Sequence, residues 1–325
     1  MQQAATRTNY LTIPVSNSIR PKDVWSSILM SMYLSQAIIR LLTDDNLPLV
    51  TEYSLYQRVR PILVQGSYAG EAIIRLPSYW KHTQLRAMIR TLEKKRILAS
   101  DDDFKAGVWR VIQASNAPTA EEAIVMVDPF AYISHLSAMQ RYGLTDRAPE
   151  ALHMTTPARP LWTQLRDARM EDDYEEEFDM VNLPPLIRIG VKSQVRRRSV
   201  VMHESKHPAD PTPIAGTIAK IAPIGRVFVD MLDQPALCGG IQHVLDCFER
   251  HSEDWLPDIV AAVDAVDSPI VKVRAGYILD EMLSLTDPRI ARWTACAQRG
   301  GSRKLDPQAA YGNTYSEKWM IALNV

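Results

Sequence analysis

"HTQLRAMIRTLEKKRIL", His82 to Leu98, runs directly into "ASDDDFKAGVWRVI", Ala99 to Ile112. In the first stretch Leu85, Met88, Ile89 and Leu92 recur at i, i+3, i+4 and i+7, giving one apolar face on a helix expected over Ser78 to Ile97. Gln84, Arg86, Ala87, Arg90, Thr91 and Lys94 fall on the remaining circumference. The second stretch reads as strand, turn, strand, with Asp101 to Asp103 and Gly107 in the turn and Trp109 to Ile112 in a strand. Small, amide and cationic side chains on a helix anchored by its other face suit a helix laid in a DNA major groove. Arg bonds guanine in pairs, Gln pairs with adenine, and Lys or Thr holds phosphate. The candidate DNA-binding residues are therefore Lys81, Thr83, Gln84, Arg86, Arg90, Lys94, Lys95 and, in the turn, Lys105.

Upstream, Val24, Trp25, Ile28, Leu29, Met32, Ile38, Ile39 and Leu42 follow helical spacing, which predicts a first helix over Lys22 to Leu42, ended by Asp44-Asp45-Asn46. A second, shorter helix is expected from Thr51 to Leu63, with Pro61 disturbing its end. Gly66 and Gly70 mark a turn region. Three helices followed by a hairpin is the order of a winged helix-turn-helix, placed at 21–114 behind an irregular arm at 1–20. From Ser54 to Leu98 the chain carries Arg58, Arg60, Arg75, Lys81, Arg86, Arg90, Lys94, Lys95 and Arg96 against Glu71 and Glu93 alone. That local surplus is hidden in a chain whose net charge is −1. The competing readings are a plain solvated face and a winged helix used for protein contact.

At 325 residues, the length favours about two domains, and 46% hydrophobic with 23% charged residues is enough apolar material for each to bury a core. Met1 to Arg20 lacks the continuous apolar stretch of a secretory signal. The most apolar run, Val24 to Ile39, is interrupted by serines and falls short of the roughly 20 residues a spanning helix needs. The expectation is a cytoplasmic, reduced protein with no membrane contact. Cys238, Cys247 and Cys296 form no CxxC pair, and Cys238, His243 and Cys247 match no zinc spacing, so they read as buried packing residues.

Ala114 to Ala120, "ASNAPTA", marks a second boundary. Beyond it Tyr132 to Tyr142 reads as a helix stopped by Gly143, and Ala151 to Thr155 as a strand. The middle, about 155–230, looks β-rich, with "LIRIGVKSQ" and "RRRSVVMHESK" as strands. From Arg226 the pattern turns helical and closes on a loop and a short strand.

Two stretches invite a catalytic reading. Ser134, His135 and Ser137 lie in "YISHLSA", but on a helix Ser134 and His135 point about 100° apart, and no GxSxG elbow occurs. Tyr132 and Leu136 are expected to pack inward, with His135 on a backbone group or facing an exposed groove. Glu204 and Lys206 in "VVMHESKHP" form an ExK pair that, with Asp173 or Asp179, would suit a metal-dependent nuclease. The acidic context is poor, so no catalytic or metal-binding residue is assigned. The acidic run Glu171 to Asp179 and the basic run Arg196 to Arg198 read as complementary charges on one sheet face. A second nucleic-acid contact through Lys192 and Arg196 to Arg198 is the alternative.

Four blocks stand in a telling order: "AYISHLSAMQRYGLTD" (Ala131–Asp146) with "EALHMTT" after it; "RVFVDMLDQPALCGGIQHVL" (Arg226–Leu245); "VKVRAGYILDEML" (Val271–Leu283); and "KLDP" through "KWMIALNV" at the end. Over about 115–325 their order and spacing resemble the AbiEi-type antitoxins, regulators of AbiE toxin–antitoxin operons classed as type IV. The resemblance implies an N-terminal winged helix and an autorepressor that recognises repeats in its own promoter as double-stranded DNA. It also implies a C-terminal antitoxin domain, at 115–325, that counters a cognate nucleotidyltransferase-like toxin. The long N-terminal segment and the insert "EDDYEEEFD" depart from the pattern.

The resulting expectation is an α+β chain: a winged helix-turn-helix, then a mixed α/β antitoxin domain with a helical C-terminal part. It would act as a non-enzymatic DNA-binding repressor without cofactor. The alternatives are a stand-alone regulator or anti-phage adaptor with a protein-sensing C-terminal domain, and a nuclease built on Glu204 and Lys206.

Overall fold

A computed structural model of the chain describes residues 31–77, 80–174, 183–298 and 303–325. The fold is a mixed α+β arrangement in which helices and several small sheets share two hydrophobic cores. It begins with β1 (Ser31–Tyr33) and α1 (Leu34–Asp44), followed by β2 (Leu49–Thr51), α2 (Glu52–Gln65), β3 (Ser67–Tyr68) and β4 (Glu71–Ile74). Next come α3 (His82–Lys94), β5 (Leu98–Ser100) and β6 (Val108–Val111). The strands form two three-stranded sheets, ordered β1-β4-β3 and β2-β6-β5.

Local chemistry accounts for the helix ends. Thr51 caps α2 reciprocally: Ser54 N–H donates to Thr51 Oγ1 at 3.1 Å and Thr51 N–H to Ser54 Oγ at 2.9 Å. The helix runs through Pro61 to Gln65, four residues beyond it, instead of being disturbed there. Pro61 faces solvent while Val59 and Ile62 on either side are buried, and the helix closes on Gly66 at φ +69°. At the end of α3, Ile97 N–H reaches Leu92 O and Arg96 N–H reaches Glu93 O, both at 2.9 Å, with Arg96 in the left-handed region at φ +56°. This paired closure satisfies the last carbonyls and turns the chain into β5. Within the expected helix over Lys22 to Leu42, Ser31–Tyr33 is instead a strand drawn into parallel pairing with Ala72–Ile74, and the helix that follows it starts at Leu34. The part of that expectation over Lys22 to Met30, like the arm at 1–20, lies outside the described residues.

After the linker come α4 (Ala120–Val127), β7 (Tyr132–Ile133), α5 (His135–Arg141), β8 (Leu152–Pro157), α6 (Arg159–Tyr174), β9 (Gln194–Val195), β10 (Arg198–Ser205), β11 (Thr212–Pro213) and β12 (Lys220–Ile221). Their strands make a six-stranded sheet ordered β11-β12-β7-β8-β10-β9, centred on the parallel β8–β10 pair, in register from Leu152↔Val200 to Pro157↔Ser205. The helical end comprises α7 (Ile224–Asp233), α8 (Ile241–Ala265), α9 (Pro269–Gly276), a π-helical turn at Tyr277–Met282, and α10 (Pro288–Trp293). The hairpin β13 (Tyr315–Ser316) and β14 (Ile321–Ala322) follows.

Two glycines permit the closest packing. A Cβ on Gly225 would lie 2.3 Å from the Asp258 carbonyl oxygen, so α7 can seat on α8 only with glycine there. A Cβ on Gly276 would lie 2.1 Å from the Trp319 ring, which is fully buried and donates its indole N–H to Asp280 at 3.0 Å. The sequence blocks 271–283 and 318–325 are thus clamped to each other, face to face.

The middle of the chain departs from its sequence reading. Arg159–Tyr174, expected inside a β-rich region, is helix α6, and "LIRIGVKSQ" makes a single antiparallel bridge, Val191 to Phe104, before β9 begins at Gln194. Trp162, Met170 and Tyr174 on α6, with Leu183 and Leu186 after it, do not join the core of their own half. They complete the core of α1, α2 and α3. Tyr174 meets Tyr53 and Tyr56 edge to face, each pair of ring centroids 5.8 Å apart. In exchange Leu49, Phe104 and Val108 belong to the second core. The 114–120 linker is therefore crossed by packing in both directions.

Candidate nucleic-acid interface

Helix α3 is held by Leu85, Ile89 and Leu92, all buried, while Thr83, Gln84, Arg86, Arg90, Thr91, Lys94 and Lys95 are exposed. Lys81 is its N-cap residue and also exposed. The expected helix face is present in its expected register. The acids nearest in sequence do not neutralise it: Glu93 accepts the indole N–H of Trp109 at 2.9 Å. Among the described residues Arg90, Lys94 and Lys95 have no ion-pair partner.

Two residues on this face have local duties. Gln84 Oε1 accepts the Lys81 backbone N–H at 2.8 Å, so its carbonyl is committed to the helix cap and not to the edge of an adenine. Arg86 Nε donates to Glu52 Oε1 at 2.8 Å, and Glu52 Oε2 also meets His82 Nε2. Glu52 stands in the first turn of α2, where the helix dipole favours an anion. No sequence signal links positions 52 and 86.

The hairpin turn is not an outstretched tip. Phe104 is buried, Lys105 N–H donates to Gly190 O at 2.7 Å, and Lys192 N–H donates to Asp103 O at 3.0 Å. Arg196 grips the same turn, donating to Asp101 at 2.9 Å and pairing also with Asp103. Burial opposes its charge and the two carboxylates support it, with the guanidinium held above its ordinary range. Lys105 stays exposed, but its stem lies along Gly190, whose Cβ would come 3.3 Å from Lys105 Cδ. The backbone at Lys105 is thus docked on the second half while its side chain stays at the surface.

The basic run Arg196 to Arg198 does not pair with the described part of the acidic run, Glu171 to Tyr174. Arg196 takes Asp101 and Asp103, Arg198 approaches Glu121 at 3.4 Å, and Asp173 binds Arg169 and the Tyr53 hydroxyl. Residues 175–179 lie outside the described residues. Arg110 and Arg197 join Asp101 to Asp103, Arg196 and Asn116 around a cleft of about 530 Å³ at the seam between the halves.

The other candidates fall out differently. Ser134 is not on the helix; it is the extended N-cap of α5, and His135 follows with φ +50°. That left-handed residue turns the His135 ring back so that Nδ1 lies 2.8 Å from Ser134 Oγ, against the expectation of divergent side chains. Both are buried, so His135 faces no groove, and Thr155 Oγ1 also bonds Ser134 Oγ at 2.8 Å. A hydroxyl sealed in this way presents no nucleophile to a substrate. His153 and His203, from β8 and β10, stack beside His135, and their ring nitrogens lie 3.0 Å apart. Burial, then the neighbouring imidazoles, pushes His135 down to about 3, and burial pushes His203 down to about 4. Sequence reading missed this cluster because its members are 18 and 50 positions apart. Glu204 pairs with Arg188 at 2.9 Å, while Asp173 is held by Arg169, so Glu204 and Asp173 are not brought together; the other carboxylate of the nuclease reading, Asp179, lies outside the described residues. Among the described residues no group of three His, Cys, Asp or Glu side chains is arranged to hold a metal ion. His243 and Cys247 touch at 3.7 Å, and Cys247 donates to Leu144 O. Among the described residues no helix is long and apolar enough to cross a membrane.

No family model matches the chain, and no curated protein does. Among solved structures it is similar to the crystal structure of the RV2827C protein from Mycobacterium tuberculosis, at 15% identity and TM-score 0.43, over 89% of this chain and 90% of that one. A likeness that distant carries no argument about function.

Proposed function

We propose that the chain is a DNA-binding regulator whose α1–α3 and β5–β6 form a winged helix-turn-helix that lays α3 in the major groove. The observation that carries this reading is the outer face of α3. Arg90, Lys94 and Lys95 are exposed and have no ion-pair partner among the described residues, on a helix whose opposite face is fixed by buried Leu85, Ile89 and Leu92. Cations left unpaired on a rigid helix attract phosphate and release its counterions on binding. The docked turn at Asp101–Gly107 makes α3, and not the wing, the main contact.

The antitoxin role, with a nucleotidyltransferase-like toxin as partner, is proposed on the resemblance of the sequence blocks in 115–325. The mutual clamp of blocks 271–283 and 318–325 through Gly276 and Trp319 supports treating them as one unit. Gel-shift titration of the full chain on duplex DNA from upstream of its own reading frame tests the first part. Retarded complexes that dissolve steeply with salt are expected, and absence of binding at low salt refutes it. Growth rescue on co-expression with a nucleotidyltransferase-like toxin, should one be encoded beside this chain, tests the second part, and failure to rescue refutes it.

A further inference from the structure

We propose that Arg86 reads a guanine and that Glu52 is the positioning residue that presents it, an inference that rests on the DNA-binding reading above. Arg86 is the outward cation of α3 whose guanidinium plane is fixed. Its side chain is 58% exposed, yet Nε is tied to Glu52 Oε1 at 2.8 Å. Glu52 is itself only 16% exposed and anchored from a second side by His82. The bond uses Nε, and neither Nη atom has a partner among the described residues. The edge left to solvent is therefore the Nη1/Nη2 pair, which matches the O6 and N7 acceptors of guanine end-on.

Arg90, Lys94 and Lys95 have no such brace. A long side chain that swings freely serves phosphate well and a base edge poorly, because ordering it costs rotamer entropy at the moment of binding. Arg86 has already met that cost in the unbound protein. Gln84, the other base-reading type on this face, has its carbonyl in the helix cap. The chemistry thus concentrates sequence discrimination on one fork, supported from α2.

The alternative is that Arg86–Glu52 is an ordinary surface pair with no part in recognition, and the following experiment separates the two. A randomised duplex library is selected with the full chain and with Arg86→Ala, Arg86→Lys and Glu52→Gln. The wild-type chain should enrich a motif with a fixed guanine. At that position Arg86→Ala and Glu52→Gln should lower the preference for guanine about tenfold. Arg86→Lys keeps the charge at an exposed site but loses the fork, so it should lose the guanine preference while still binding unselected duplex. A guanine preference unchanged in Arg86→Ala, or an enriched motif with no guanine, overturns the inference and leaves DNA binding standing. A preference unchanged in Glu52→Gln overturns the positioning role. A wild-type chain that binds no duplex at all overturns the DNA-binding reading and this inference with it.

Discussion

Replacing Tyr174 with alanine should loosen the candidate recognition helix, although the two are some 80 positions apart in sequence. Tyr174 is fully buried, packs edge to face on Tyr53 and Tyr56 of α2, and donates its hydroxyl to Pro184 O at 3.2 Å. Removing a large buried aromatic costs about 3–5 kcal/mol, including the cavity it leaves. The two aromatic pairs lie toward the upper part of that range. A core of this size is stable by roughly 5–15 kcal/mol, so the loss takes a large share of it. The measurement is amide hydrogen exchange of the full chain, comparing α3 and α8. Amides of His82–Lys94 should lose most of their protection in Tyr174→Ala while those of Ile241–Ala265 keep theirs, because α8 belongs to the other core. Equal protection of α3 in variant and wild type would refute the claim that α6 completes the first core. By the same reasoning a fragment ending at Ala114 lacks Trp162, Met170, Tyr174, Leu183 and Leu186, about 1.5–3 kcal/mol of burial for each large side chain. It should not unfold cooperatively unless a peptide covering 158–190 is supplied.

Lys94→Ala with Lys95→Ala should weaken binding to all duplexes alike and reduce the slope of log K against log salt by roughly 1.8, at about 0.9 per phosphate contact, as read from titrations over a salt series. Gly276→Ala should destabilise the chain by about 1–3 kcal/mol or more, because the new methyl overlaps the buried Trp319 ring; urea unfolding measures it. Acid should destabilise the protein below pH 6.5. His135, His153, His203 and His243 all titrate lower in the folded chain than in the unfolded one, so the unfolded chain binds more protons and stability falls as pH drops from 6.5 toward about 4. Asp230, raised by burial to about 6, and Asp128, also raised by burial, act in the opposite sense but are outnumbered. A net slope on the order of 1 kcal/mol per pH unit is expected, reduced by solvent screening of the half-buried rings. His203→Gln should flatten it, and a stability profile level from pH 7 to 5 would contradict this account.

The outward face of α3 and the hairpin after it could be read from the residues themselves, since both depend on short-range periodicity. Leu85, Ile89 and Leu92 leave one way to bury the helix, and Gly107, at φ +76°, with the aspartates allows the turn. The helical end from α7 onward was legible for the same reason. The short strand β1 was not, because its pairing with β4 is 41 positions away and overrides a local helical pattern. Nor was α6, whose sequence "RPLWTQLRDARMEDDY" buries only Trp162, Met170 and Tyr174, a stripe too sparse to register as amphipathic. Ser134 reads from the sequence as helical but is the extended N-cap of α5, which starts at His135, since the left-handed turn at His135 is held by buried neighbours. The brace of Arg86 by Glu52, the grip of Arg196 on Asp101 and Asp103, and the seating of Trp319 over Gly276 share one property. Each joins residues that are 34, 95, 93 and 43 positions apart, where propensity and spacing have no reach and only the packing of the two cores brings the partners into contact.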